Sequence, residues 1–150
     1  MVGEGARNTS AVRVRRARSF DLNDVADLWA DCGLVPSQRG FRNEMERMLI
    51  RSPELFLVAV DAGEGGRIVG ALLGSYDGRV GCVSRLATHP HHRRRGVASV
   101  LVDAFSSVLD GLGAADALVL VLDSNPDADR FWSAISYRHA ADIRAYRRGW

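Results

Sequence analysis

Apolar positions along this chain fall into distinct periods, and each period predicts an element. Val12, Val14 and Ala17 alternate roughly with arginines, the pattern of a first strand with one wet face. Leu22, Val25, Ala26, Leu28 and Trp29 recur at helical spacing behind Asp21, a side chain suited to an N-cap, and predict a helix ending near Cys32 and Gly33. Pro36 and Gly40 frame a loop, and Phe41, Met45, Met48 and Leu49 predict a second short helix. After Pro53 the period changes. Residues 55–60 (LFLVAV) form an unbroken apolar run closed by Asp61, Gly63, Gly65 and Gly66, and residues 68–74 (IVGALLG) read as its hairpin partner. A turn at Asp77 and Gly78 opens a third strand over 80–88, which completes an antiparallel meander.

The period then returns to 3.6. Val97, Leu101, Ala104, Phe105, Val108 and Leu112 share one helical face, with Gly111 and Gly113 as the stop. Residues 117–122 (ALVLVL) have the continuous apolarity of a strand buried on both faces beside a crossover helix. A further helix is expected over 126–135 and a last strand over 138–146. The order β-α-α-β-β-β-α-β-α-β describes an α/β chain, an α+β mixed sheet with helices on both faces, containing one right-handed βαβ crossover. No repeat, linker or low-complexity segment interrupts it. Residues 1–10 read as a flexible tail and 11–150 as one domain.

Bulk properties narrow the function classes. The 150 residues are 47% apolar and 25% charged, enough for one core and ordinary for a globular chain. A net charge of +2 gives no bulk argument for nucleic acid. All 20 basic residues are arginine, so no side-chain lysine is available for self-acetylation. Cys32 and Cys82 do not form a CxxC pair, and no apolar run has the length of a membrane span or a signal core. A reducing, cytoplasmic location is the expectation.

The chemistry concentrates where the strand over 80–88 meets the next helix. His89-Pro90-His91-His92 leads into Arg93-Arg94-Arg95-Gly96-Val97-Ala98, so a glycine-bearing, arginine-rich turn opens a helix. Unpaired N–H groups and the positive end of the helix dipole then share a small volume, the makings of an anion cradle. His89, His91 and His92 crowd into one exposed turn without the spacing of a closed metal site, and no metal is expected. Cys82 reads as a buried structural thiol facing the same way as Ser84 and Leu86, rather than as a nucleophile.

The spacing Arg93-x-x-Gly96-x-Ala98 resembles the R/Q-x-x-G-x-G/A pyrophosphate loop of the GCN5-related N-acetyltransferase (GNAT) family. A second stretch, Asn125-x-x-Ala128-x-x-Phe131-Trp132-x-x-x-Ser136-Tyr137, resembles that family's N-x-x-A-x-x-F-Y-x-x-x-G-F/Y signature. Leu28-Trp29, residues 54–59, residues 75–78 and residues 137–140 look most like the small bacterial YpeA-type members. The resemblance runs from about Val12 onward. It implies the GNAT fold, acetyl-CoA as co-substrate and transfer of acetyl to a primary amine by direct attack in a ternary complex.

The resemblance also assigns roles. Leu86, Ala87 and Thr88 would lie on a strand splayed from its neighbour, with backbone pairing to the pantetheine arm. N–H groups from Arg94, Arg95, Gly96, Val97, Ala98 and Ser99 would hold the pyrophosphate, with Arg93 adding charge near the adenosine phosphates. Asn125 would hydrogen-bond the pantetheine or cap the helix opening at Pro126. Family members commonly have a tyrosine acid where Trp132 stands and a glutamate base on the strand over 80–88, which here has no acid. Asp77, the nearest carboxylate, or a water chain is left to take the amine's proton, and Tyr137, Tyr76 or Tyr146 to replace the tyrosine acid, although Asp77 is equally a turn residue. An amine-bearing acceptor is the expected partner, with neither nucleic acid nor membrane; homodimers are frequent in the family. Two rival readings use the same residues: a non-catalytic acyl-CoA-binding module, and a nucleic-acid binder acting through the arginines.

Overall fold

Aromatic and branched residues after Pro53 supply the middle of a five-stranded sheet. In the computed structural model, which describes residues 12–34, 41–123 and 125–149, the strands lie in chain order. They are β1 (Val12–Arg16), β2 (Phe56–Asp61), β3 (Arg67–Tyr76), β4 (Val80–Thr88) and β5 (Asp116–Val119). β1 to β4 pair antiparallel, and β5 joins β4 in parallel. A parallel pair cannot be joined by a tight turn, and the crossover is made by α3 (Val97–Leu112). The other helices are α1 (Leu22–Asp31), α2 (Phe41–Arg51) and α4 (Pro126–Ala134). This is the mixed α/β architecture expected from the sequence, with β4 at its expected bounds. The expected tail over 1–10 and the loop framed by Pro36 and Gly40 lie outside the described residues.

The chain divides into two compact units, Met1–Leu120 and Val121–Trp150. In the first, the two faces of the sheet are filled differently. Leu22, Val25, Leu28 and Trp29 of α1 and Met45 of α2 pack with Phe56, Val58, Ala71 and Leu73 in one apolar cluster. On the opposite face α3 is seated on glycines. A Cβ on Gly70 would lie 2.6 Å from Val97 Cγ1 and 3.0 Å from Leu101 Cδ1. On Gly74 it would overlap the Phe105 ring, and on Gly81 the Leu109 side chain. Val97, Leu101, Phe105 and Leu109 stand at intervals of four, so one ridge of α3 fits one trough of side-chain-free backbone. That close seating fixes where the helix begins.

Asp21 differs from its expected role. It makes no side-chain cap on α1. Its carboxylate instead accepts both Arg15 guanidinium nitrogens, at 2.7 and 2.9 Å, and the Arg18 N–H at 2.8 Å. Burial opposes its ionisation, but the Arg15 and Arg18 hydrogen bonds outweigh that and hold the carboxyl below the usual aspartate range. Gly113, at φ 75°, is the residue that ends α3, while Gly111 lies inside the helix.

The last part of the predicted order needs correction. No strand forms over 138–146, where the described residues are turn and irregular coil. β5 is also shorter than expected and is not buried on both faces: Leu118 and Val119 are half-buried, and Leu120, Val121 and Leu122 are exposed. Among the described residues β5 is the outermost strand of the sheet.

Within the second unit, α4 is opened by Asn125, whose Oδ1 accepts the Ala128 N–H at 3.3 Å, with Pro126 at the first helical position. The buried Trp132 ring meets Phe131 and Tyr137 edge-on, at centroid distances of 5.1 and 4.9 Å.

Candidate functional site

One extra residue in β4 creates the opening at the sheet's edge. Leu73 faces Arg85, but the next residue, Gly74, faces Val83, so Ser84 bulges from the ladder. On the other side, pairing with β5 runs from Val80 to Val83 and ends there, with a last long contact of 3.4 Å from the Leu120 N–H to the Val83 carbonyl. β4 therefore continues for residues 84–88 with β3 on one side and no strand of the described residues on the other. The His89 N–H bonds the Val69 carbonyl at 2.8 Å. By two-residue alternation Ala87 and Arg85 also turn toward β3, and Leu86 and Thr88 turn their N–H and C=O groups toward the open edge. Thr88 has one weak partner there, the Cys32 thiol at 3.5 Å from its carbonyl.

The strand leads into a backbone shaped for an anion. Arg94 has φ 61° and Gly96 φ 78°, left-handed conformations on either side of Arg95. Alternation of left-handed and ordinary backbone gathers successive N–H groups into a concave nest. Gly96 is also the N-cap of α3, whose first intrahelical bond runs from the Val100 N–H to the Gly96 carbonyl. The N–H groups of Val97, Ala98 and Ser99 accordingly have no partner inside the helix. The three arginines are exposed around this nest. Arg93 leans back onto the end of α1, with Nη2 3.8 Å from Cys32 Sγ. Val97 is buried beneath Gly70, so the nest is anchored to the sheet. An open strand edge, a nest and a helix N-terminus thus follow one another along 86–99. Together they can pair with an extended amide-bearing chain and hold an anion at its end.

Neighbouring groups set the electrostatics. Arg85, beyond the bulge, bonds Glu44 of α2 at 3.0 Å and lies 5.4 Å over the Trp29 ring. His89 accepts the His91 N–H through Nδ1 at 3.3 Å and has Arg67 2.9 Å from Nε2. Burial first, then the Arg67 charge, hold His89 below the usual histidine range. Burial likewise pushes the Cys82 thiol up, away from nucleophilic use. The Ser84 bulge breaks the simple alternation by which Cys82, Ser84 and Leu86 were expected to share a face.

The expected proton-transfer candidates are placed as follows. Asp77 lies in the turn at the amino end of β4, the end opposite the nest that opens α3. Its carboxylate accepts the Val80 and Arg79 N–H groups at 2.7 and 2.8 Å, bonds that hold it ionised and below the usual range. Asp77 is thereby engaged in its own turn. Tyr137 belongs to the second unit, half-buried on Trp132, with its N–H bonded to the Trp132 carbonyl at 3.0 Å. Asn125 there uses its side-chain oxygen as a helix cap. Reading the sequence missed the Ser84 bulge, which carries no residue signature, and the Glu44–Arg85 pair. For the pair a signal existed: Arg85 is the single charged residue in the strand over 80–88.

Comparison with known proteins adds an independent line. A family model described as acetyltransferase (GNAT) family matches residues 22–137. An acetyltransferase of Sodalis glossinidius is 32% identical over 126 residues, covering 84% of this chain and 87% of its own. Among solved structures, Ard1 of Thermoplasma volcanium superposes with a TM-score of 0.78 at 24% identity, over 87% of this chain and 85% of that one. Naa20 of Chaetomium thermophilum, in complex with a bisubstrate analogue, gives a TM-score of 0.70 at 22% identity, over 82% and 69%. None of these names singles out the YpeA-type subgroup.

Proposed function

This chain belongs to the acetyltransferase (GNAT) family, and from that membership we propose that it transfers an acetyl group from acetyl-CoA to a primary amine by direct attack in a ternary complex. One observation carries the proposal: the edge of β4 opens at Ser84 and runs without interruption into the nest at 94–96 and the N-terminus of α3. Pantetheine amides would pair with Leu86 and Thr88 beside Ala87, and the pyrophosphate would sit on the N–H groups of residues 94–99. Arg93, Arg94 and Arg95 would neutralise the phosphates. Asn125 retains the pantetheine role that the resemblance gives it, while also capping α4.

Direct attack suits these residues. Aligning a neutral amine with a thioester supplies roughly 7–11 kcal/mol of the barrier in favourable cases. An N–H of the opened strand can stabilise the developing oxyanion. A thiolate leaving group, with a pKa near the free cysteine value of roughly 8.5, needs little protonation. Tyr137 is the proposed acid, since the Trp132 indole donates hydrogen bonds without giving up its proton. With Asp77 committed to its turn, water is the proposed route for the amine's proton. A cytoplasmic location belongs to the same proposal, on the strength of the two unpaired cysteines; no helix of the described residues is long and apolar enough to cross a membrane.

A thiol-release assay over a panel of primary amines tests this reading. CoA release that requires an amine, with acetylated amine formed in equal amount, is the expected result. Tight acetyl-CoA binding without amine-dependent release would instead identify a non-catalytic module, and steeply salt-dependent nucleic-acid binding that acetyl-CoA does not displace would support the arginine-based rival.

A further inference from the structure

His92 separates from the other two histidines of its turn by pointing inward. Its side chain is 3% exposed, and neither ring nitrogen makes a hydrogen bond to the described residues. A buried imidazole without a partner is costly, and its surroundings indicate what would satisfy it. Nε2 lies 3.3 Å from Glu64 Oε1 and 3.7 Å from Asp61 Oδ2. Asp61 ends β2 and Glu64 lies in the turn before β3, some thirty residues earlier in the chain, which is why no local spacing announces the group.

Those separations are long for charge-assisted hydrogen bonds, which run at about 2.7–2.9 Å. The shorter matches one edge of a coordination tetrahedron, and the longer is a few tenths of an ångström wider than such an edge. Two ligands held about 2.0–2.1 Å from a zinc ion at the tetrahedral angle stand about 3.3–3.4 Å apart. The three ligand atoms all lie within 4.8 Å of one another. Asp61 is already oriented: its Oδ1 accepts the Gly63 N–H at 2.9 Å, which leaves Oδ2 directed at His92. Glu64, 45% exposed, gives the cluster an opening to solvent.

We infer that His92 Nε2, Asp61 Oδ2 and Glu64 Oε1 form a site for a zinc-type divalent cation, with a fourth position open to water. One imidazole and two carboxylates favour a borderline transition metal over the all-oxygen shells of calcium or magnesium. Such an ion would join the turn after β2 to the residue immediately before Arg93, fastening the start of the arginine turn to the sheet. The inference stands apart from the acetyl-CoA reading, because the ion can be titrated with no acyl donor present.

The test uses the untagged full-length chain, stripped of metal by a chelator and titrated calorimetrically with Zn²⁺ at pH 7. One ion is expected to bind per chain, and zinc at about 100 times its Kd should raise Tm by roughly 5–10 °C. E64Q changes an exposed side chain and should still fold, yet weaken zinc binding at least about tenfold, since even groups one shell further out tune metal affinity by 10–100-fold. H92Q should abolish binding. The inference is overturned if the wild type binds no zinc, or if E64Q binds it as tightly as the wild type, which would assign the ion to other histidines or cysteines. A lower Tm for E64Q with no zinc response in either protein would overturn it in favour of a plain ion pair.

Discussion

Valine at Gly96 is expected to raise the KM for acetyl-CoA by about 10–100-fold, a loss of roughly 1.4–2.8 kcal/mol, while the protein stays folded. Gly96 sits at φ 78°, where a β-branched residue is a genuine outlier, and it caps α3. Forcing an L side chain into that region costs roughly 1–2 kcal/mol. A Cβ there meets nothing within 4 Å, so the fold has room for it. That room is the mouth of the nest, and the added methyls would stand between the pyrophosphate and the N–H groups of Val97 and Ala98. Alanine, with strain but less bulk, should fall between wild type and valine. Steady-state kinetics with acetyl-CoA varied, alongside a melting curve, separates the two effects. A KM unchanged in G96V would move the anion away from this turn.

The second large effect lies beneath the helix. Alanine at Gly74 would overlap the Phe105 ring, which is fully buried and has little space to yield. Overpacking of this kind costs about 1–3 kcal/mol, and Tm should fall by roughly 2–4 °C per kcal/mol for a chain of this size. Because α3 must lift or tilt to accept the methyl, the N-terminus of the helix moves with it, and acetyl-CoA binding should weaken as well. Replacing Phe105 with leucine in the G74A background should recover part of the lost stability, although F105L alone is destabilising. Urea denaturation of the four proteins gives the coupling directly. Additive effects would mean that the helix is not seated on this glycine.

These glycines also show how far the sequence could be read. Gly70, Gly74 and Gly81 sit inside strands whose apolar runs were plain, and a glycine within a strand signals close approach of something. The residue it admits is named only by the packing. The arginine turn was legible because its parts are contiguous: a strand end, a glycine and a helical stripe within about ten positions of one another. Splaying at the edge of β4 was available only through family resemblance, since a bulge at Ser84 is decided by how two neighbours pair and not by the residue that bulges. The strand over 138–146 failed for a related reason. Its apolar residues are few among arginines and small side chains, so no alternating apolar face specifies a strand register there. Asp61 and His92 were invisible as a pair, being joined only when the β2–β3 turn meets the turn before α3.

The account's central claim is that acetyl-CoA completes the open edge of β4 and the nest that follows. Residue-resolved amide exchange, with and without acetyl-CoA, tests it most directly. The N–H groups of Leu86 and Thr88 and those of Val97, Ala98 and Ser99 should gain protection on binding, while Cys82 and Val83, already paired with β5, should change little. Protection gained elsewhere, with the amides of 86–99 unaffected, would contradict it.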